Sequence, residues 1–208
     1  MVLEGQHVRL EPLAERHLAD LLPLVQGPRE TFAVTWVPRD EAGLRQYLEV
    51  ALEEQRLGVS LPFATVDRRR GKAVGSTRFM TIDFWAARPG SALARPPGVP
   101  HAVEIGHTWL GPQAQRTALN TEAKYLMLRH AFETWGCVRV ELKTNAMNYP
   151  SRTAILRIGA REEGTLRKHL ISERGIARDT VYFSILDTEW PTARAGLEAR
   201  MRARGWSA

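Results

Sequence analysis

Two stretches of this 208-residue chain place polar side chains where one element ends and the next begins, which is where backbone amides become available for chemistry. The first runs Thr108-Trp-Leu-Gly-Pro-Gln-Ala-Gln-Arg-Thr-Ala-Leu-Asn-Thr-Glu122. A helix starting there offers unpaired N–H groups and the positive end of its dipole, a seat for a diphosphate. The spacing alone also fits, and by itself favours, a plain strand-to-helix connection capped by Asn120 or Thr117. The second stretch, Asn145-Ala-Met-Asn-Tyr-Pro-Ser151, repeats the pattern. Two adjacent strand ends would then present polar groups to one crevice.

Other chemistries find no support. There is no G-x-S-x-G elbow, H-E-x-x-H pair or phosphate-binding G-x-x-x-x-G-K-[ST] loop. The six histidines (His7, His17, His101, His107, His130 and His169) are scattered without metal spacing, so no metal site is expected. Cys137, the single cysteine, sits among apolar residues and reads as a buried structural thiol. It cannot form an internal disulfide.

The elements that must position these junctions follow from periodicity. Val8 to Leu10 reads as a strand, and Leu18, Leu21, Leu22 and Val25 have the i, i+3, i+4, i+7 spacing of an amphipathic helix. A second helix follows Asp40, with Leu44, Tyr47, Leu48, Ala51 and Leu52 on one stripe and Glu49, Glu53 and Glu54 facing away. Leu61 to Val66 and Ala73 to Phe84 read as strands around a polar turn that holds Arg68 to Arg70. Arg88 to Pro100, rich in proline and glycine, is an inserted loop and a candidate lid. Val103 to Leu110 is a strand, Leu119 to Trp135 a long helix closed by Gly136, and Val138 to Thr144 a half-buried strand. Asn148 should cap a further helix that ends at Gly159. Ala160 to Leu170 and Asp179 to Leu186 form two strands around Glu173-Arg-Gly175, and a basic helix follows Pro191. The class is α/β (α+β) with a mixed sheet: one domain over residues 1–190 and a C-terminal helix, 191–208, that docks on it or on a second subunit through Leu197 and Met201.

Composition sets outer bounds. With 44% hydrophobic and 25% charged residues the chain is an ordinary globular one, and no apolar run approaches the roughly 20 residues of a membrane span. The first residues lack a signal-peptide pattern, so a cytoplasmic location is expected. The net charge is +6, and all but four of the 29 cations are arginine. Such a charge suits a polyanion, yet no basic stretch interleaves with stacking aromatics, because Arg68 to Arg70 sit in a turn and Arg194, Arg200, Arg202 and Arg204 on a terminal helix. A nucleic-acid-binding domain therefore stands only as a minor alternative.

Taken in order, several segments resemble the GNAT acetyltransferases, and among them the RimJ/RimL type that acetylates ribosomal-protein N-termini. They are Glu104-Ile-Gly-His-Thr-Trp-Leu, Gln115 to Glu122, Val140-Glu-Leu-Lys-Thr-Asn-Ala-Met-Asn-Tyr-Pro-Ser151, Ile158 to Arg167 and Arg178 to Ser184. The likeness runs from residue 3 to about residue 190. It implies a strongly bent mixed sheet whose two central parallel strands, here Val103 to Leu110 and Val138 to Thr144, splay apart and admit acetyl-CoA, flanked by helices. It further implies that the amides of Gln115, Arg116, Thr117, Ala118, Leu119, Asn120 and Thr121 hold the diphosphate. Ala118 and Asn120 depart from the family's small-residue loop, where glycine is usual at the first and glycine or alanine at the second. A Cβ at 118 narrows the approach to the backbone. Arg116, Asn120 and Thr121 could compensate with side-chain donors.

The same resemblance assigns roles in a direct acetyl transfer to a primary amine, either a protein N-terminus or a small amine. An amide near Trp109 or Leu110 polarises the thioester carbonyl, Ser151 is the acid toward sulfur, and Asn148 orients the pantetheine arm or caps its helix. Glu104 is the candidate base, through water, or else a carboxylate in an ion pair. The acceptor is expected around Phe32 to Trp36, with Phe84, Trp85 and His107. The lost loop glycines leave a second reading, a CoA-binding sensor without turnover.

Overall fold

The computed structural model describes residues 1–172, 175–203 and 205–206. The turn residues Glu173 and Arg174, and Arg204 beyond the terminal helix, lie outside the described residues. Among the described residues eight strands form one sheet: β1 (Leu3–Glu4), β2 (Val8–Pro12), β3 (Ser60–Asp67), β4 (Lys72–Asp83), β5 (Ala102–Leu110), β6 (Arg139–Asn145), β7 (Arg161–Ile171) and β8 (Ala177–Leu186). Their spatial order is β1-β2-β3-β4-β5-β6-β8-β7, and among the described residues the single parallel pairing is β5 with β6. It exists because α3 (Leu119–Arg129) carries the chain back over the sheet between them, as a parallel connection requires.

Helices cover both faces. On one side α1 (Leu18–Gln26) and α2 (Glu41–Arg56) pack on β3 and β4, burying Leu21, Val25, Leu44, Tyr47, Leu48 and Ala51 with Ala64 and Trp109. On the other, α3 and α5 (Trp190–Arg202) close over Val103, Ile105, Val140, Phe183 and Ile185. Each fully buried Leu, Ile or Phe side chain contributes roughly 1.5–3 kcal/mol. The terminal helix docks on its own chain, with Leu197 and Met201 both inside this second core. Its first residue is Trp190, one position ahead of the expected start.

Local chemistry explains most boundaries. Asp40 caps α2 by accepting from the Gly43 N–H at 2.8 Å, and Asn148 caps α4 (Tyr149–Arg157) by accepting from the Ser151 N–H at 3.1 Å. The long helix expected to reach Trp135 instead widens into a π-type turn over His130–Thr134, where the Trp135 N–H reaches back to His130 O. The loop after β4 is tied down: His101 Nδ1 accepts from the Trp85 N–H at 3.0 Å, Nε2 meets Leu93 O at 2.8 Å, and Arg95 donates to Trp135 O at 2.9 Å. A lid motion of this loop would have to break those ties.

The start of α3 is locked by a buried acid. Glu122, 1% exposed, accepts from the backbone N–H groups of Gln6, His7 and Val8 at 2.6, 2.8 and 2.8 Å. Gly5 is required beside it, since a Cβ there would lie 2.5 Å from the Glu122 carboxyl carbon. Glu122→Ala should therefore cost at least about 3 kcal/mol, from the loss of charged hydrogen bonds. For a chain of this size that is a Tm fall of roughly 6–12 °C by calorimetry. A Tm within about 2 °C of the parent would contradict the lock.

Candidate functional site

The central strands stay paired only where Ala102, Val103 and Glu104 face Arg139, Val140 and Glu141. Beyond Glu104 they part. On its outer side β6 remains registered with β8 over its whole length. β5 follows β4 instead and takes a bulge, one residue of β4 (Thr77, between Ser76 and Arg78) opposing two of β5 (His107 and Thr108, between Gly106 and Trp109). His107 has φ +47° at this bulge. Past it, β4 and β5 come close enough that a Cβ on Gly75 would lie 2.1 Å from Trp109 O.

Strand alternation then decides which peptide faces the gap. The Gly111 N–H donates to Val74 O at 2.8 Å, so the polar groups of Trp109, paired with Ser76, also turn toward β4. Those of Leu110 turn the other way, and Leu110 O accepts from Gln115 Nε2 at 2.9 Å. Of the two residues, Trp109 thus turns its backbone groups toward β4 and Leu110 turns its away from β4.

The loop leading into α3 adopts a shape that its sequence permits. Thr117 Oγ1 donates to Ala114 O at 2.7 Å and accepts from the Leu119 N–H at 3.3 Å, so Thr117, and not Asn120, tends the helix start. Asn120 and Thr121 lie inside the first turn, where N–H groups have no intrahelical acceptor. Ala118 has φ −69°, which any L-residue adopts, so the missing glycine creates no backbone strain. The positive φ falls on Arg116, at +60°.

The second junction lies alongside. Ser151 is half-buried in the first turn of α4, and Asn148 Nδ2 donates to Thr35 Oγ1 at 3.1 Å. Asn148 thus caps the helix and ties it to the α1–α2 connection, whose Thr31 accepts from Gln115 Nε2 at 3.1 Å. One loop, held by Arg29 on Val37 O and Pro38 O, touches both junctions. Sequence reasoning missed Thr31 and Thr35, because nothing in their spacing indicates so distant a partner.

Glu104, 2% exposed, lies where the strands begin to part and accepts from Lys143 Nζ at 2.7 Å and Thr81 Oγ1 at 3.3 Å. Burial raises its pKa above the ordinary carboxylate value, against the opposing pull of Lys143 and Thr81. Burial acts downward on Lys143, but Glu104 outweighs it and the ammonium is held above its usual value. The ion-pair alternative for Glu104 is thus present in the structure. Lys143 was overlooked as a partner, although its place two residues beyond Glu141 on β6 was a usable signal.

Near the bulge, Trp36 packs on Tyr47 at 5.7 Å, Tyr47 lies under the Arg78 guanidinium at 5.1 Å, and buried Arg78 pairs with Glu54 at 2.6 Å. Glu54, expected to face away, reaches inward. His107 opens to solvent on one side, yet desolvation by the cleft, with Arg78 and Lys143 adding to it against Glu54, lowers its pKa to about 4. Its imidazole is neutral at pH 7. Phe32 belongs to the core and Trp85 stacks on His101 at 5.3 Å, so neither joins this group; Phe84 is exposed. Cys137 is buried with its pKa raised to about 11 by desolvation, as expected of a structural thiol. Among the described residues no group of three His, Cys, Asp or Glu side chains is arranged to hold a metal ion, and no helix is long and apolar enough to cross a membrane.

The Acetyltransferase (GNAT) domain signature matches residues 7–161, and the chain belongs to that family. A GCN5-related N-acetyltransferase from Brucella melitensis superposes with a TM-score of 0.81 at 31% identity, covering 96% of this chain and 84% of that one. RimJ from Mycobacterium smegmatis, solved in complex with CoA-disulfide, shares the fold at a TM-score of 0.76 and 22% identity, covering 97% and 95%. A Bacillus subtilis (strain 168) protein named "Putative ribosomal N-acetyltransferase YdaF" is 34% identical over 87 residues, 42% of this chain. That match spans about half of the relative's length, 46%.

The Glu104 environment gives a spectroscopic expectation. Its carboxyl carbon should titrate above the ordinary value in a 13C NMR experiment, and Lys143→Met, which removes the opposing charge, should move it further up. Titration at or below the ordinary value, or a downward move in the variant, would refute the assignment.

Proposed function

We propose that this protein transfers the acetyl group of acetyl-CoA directly to a primary amine, in the manner of the RimJ/RimL branch, with a protein N-terminus as the acceptor class. The observation that carries this reading is the parting of β5 from β6 after Glu104, with the Leu110 peptide turned into the gap and the first turn of α3 at its end. A thioester in such a gap places its carbonyl against a fixed N–H donor, which favours the charge that develops as the amine attacks. Backbone amides at residues 116–121 meet the diphosphate, aided by the helix dipole.

The chain's own groups then manage the protons. Ser151 donates toward the departing sulfur. Glu104, whose raised pKa makes it a stronger base than a surface carboxylate, removes the amine proton through water. Trp36, Tyr47, Glu54 and His107 line the approach for the acceptor; Glu54 offsets the charge of Arg78, and the neutral imidazole of His107 does not repel a cationic amine. The name of the Bacillus subtilis relative supports a ribosomal-protein acceptor. A CoA-binding module without turnover was motivated by Ala118 and Asn120. Ala118 has ordinary angles and Asn120 is helical, so the replacements add no backbone strain, while the Cβ at 118 still narrows the approach.

Incubation with acetyl-CoA and a panel of peptides and small amines, read by mass spectrometry, should give products acetylated at peptide α-amines. Binding of CoA with no product across the panel would instead establish the sensor reading. Within the active enzyme, Ser151→Ala should lower kcat by about 10²-fold, the scale of a general acid, with acetyl-CoA affinity nearly intact. Unchanged turnover would remove Ser151 from the mechanism.

A further inference from the structure

Lys124 is a charged side chain that the reaction as derived does not use. It projects from the middle of α3 onto the sheet, is 5% exposed, and sits 2.6 Å from Thr108 Oγ1 on β5 and 3.0 Å from Thr77 Oγ1 on β4. The two hydroxyls are 2.8 Å apart, and both lie near Gly106 O, at 3.4 and 3.5 Å. Gly106 and Thr108 flank His107, the positive-φ residue of the bulge. The amine therefore closes a small polar network around the break in β4–β5 register at His107, the one of the two breaks that lies beyond Glu104, where β5 has left β6.

No carboxylate is among its hydrogen-bond partners. From β4 and β5 it meets the threonine hydroxyls, with Met127 Sδ next to Thr77; on its own helix Glu122 is turned to the β1–β2 turn, and His107 is accounted for by Arg78, Glu54 and Lys143. Burial is the sole cause lowering its pKa, to about 7. Burying an amine without a counter-ion is costly, and an apolar chain would fill the same space without that cost. What the amine supplies that an apolar chain cannot is two directed donors, one to each strand.

We propose that Lys124 is a positioning residue for acetyl transfer: it clamps Thr108 to Thr77, holds the β5 bulge in shape, and thereby aims the Leu110 peptide into the gap between β5 and β6. The inference rests on the transfer reading above for its kinetic consequence, but not for its structural one. Because α3 also begins at the diphosphate seat, the clamp ties the two ends of the acetyl-CoA site through a single side chain. Its loss should affect the aim of the donor N–H and spare the diphosphate contacts.

The test compares Lys124→Met, of similar length but without donors, with Thr108→Val and the double variant. Lys124→Met should lower kcat at least about tenfold while KM for acetyl-CoA stays within about twofold and Tm does not fall. Thr108→Val should show the same split, and the double variant should be no worse than the poorer single one, because both break one network. In the free protein, amide hydrogen exchange at residues 107–110 should quicken about tenfold in Lys124→Met, with α5 unchanged. Parental kcat, or a joint loss of kcat, acetyl-CoA affinity and Tm, would overturn the proposal. If the parent itself shows no transfer, that fails the function reading alone; exchange at residues 107–110 then decides, and unchanged exchange overturns the clamp.

Discussion

Everything in the site depends on one failure of pairing, the departure of β5 from β6 after three residues. A parallel pair in the middle of a sheet would ordinarily continue, since each unpaired buried peptide group costs about as much as a lost hydrogen bond. Here each strand has a stronger commitment on its other side. β6 is registered with β8 throughout, and β5 is drawn to β4 by the close approach at Gly75. The bulge at His107 absorbs the resulting mismatch. A wedge-shaped gap follows, with two helix N-termini at its open end.

The gap keeps its shape because its borders are tied by buried polar contacts as well as by apolar packing. Glu122 and Lys124, two residues apart on α3, reach different parts of the sheet: the acid takes three amides at the start of β2 and the base takes hydroxyls on β4 and β5. Gln115 and Asn148 extend the same logic to the α1–α2 connection through Thr31 and Thr35. Each of these contacts joins residues far apart in the chain. Directed bonds of this kind fix position more narrowly than hydrophobic burial, which is indifferent to direction.

That division marks what could be read from the residues alone. Periodicity located every major helix and strand to within a few positions, and the caps at Asp40 and Asn148 followed from residue type. The two-residue strand β1 is too short to carry a period and was not anticipated. Spacing left the Gln115 to Thr121 loop open between a cap and a diphosphate seat; the family resemblance supplied the second meaning, and the geometry is compatible with both, since Thr117 contacts the first helical amide while later ones point outward. The bulge and the inward turn of Glu54 were illegible, because they depend on register between strands or on contacts across a whole helix layer, whereas an ion pair at Glu104 was legible and only its partner, Lys143, was not named. The arginine excess reads differently in three dimensions. Arg45, Arg56, Arg139, Arg152, Arg161 and Arg194 each meet a glutamate at the surface, where solvent screens such pairs strongly. Six of the 29 basic residues are thus engaged in ordinary surface pairing.

The most direct test of the account is the crystal structure of the complex with acetyl-CoA. The pantetheine arm is expected between β5 and β6, the thioester carbonyl within hydrogen-bond reach of the Leu110 N–H, and the diphosphate on the amides of residues 116–121. A ligand bound elsewhere, with the two strands unchanged around an empty gap, would contradict it.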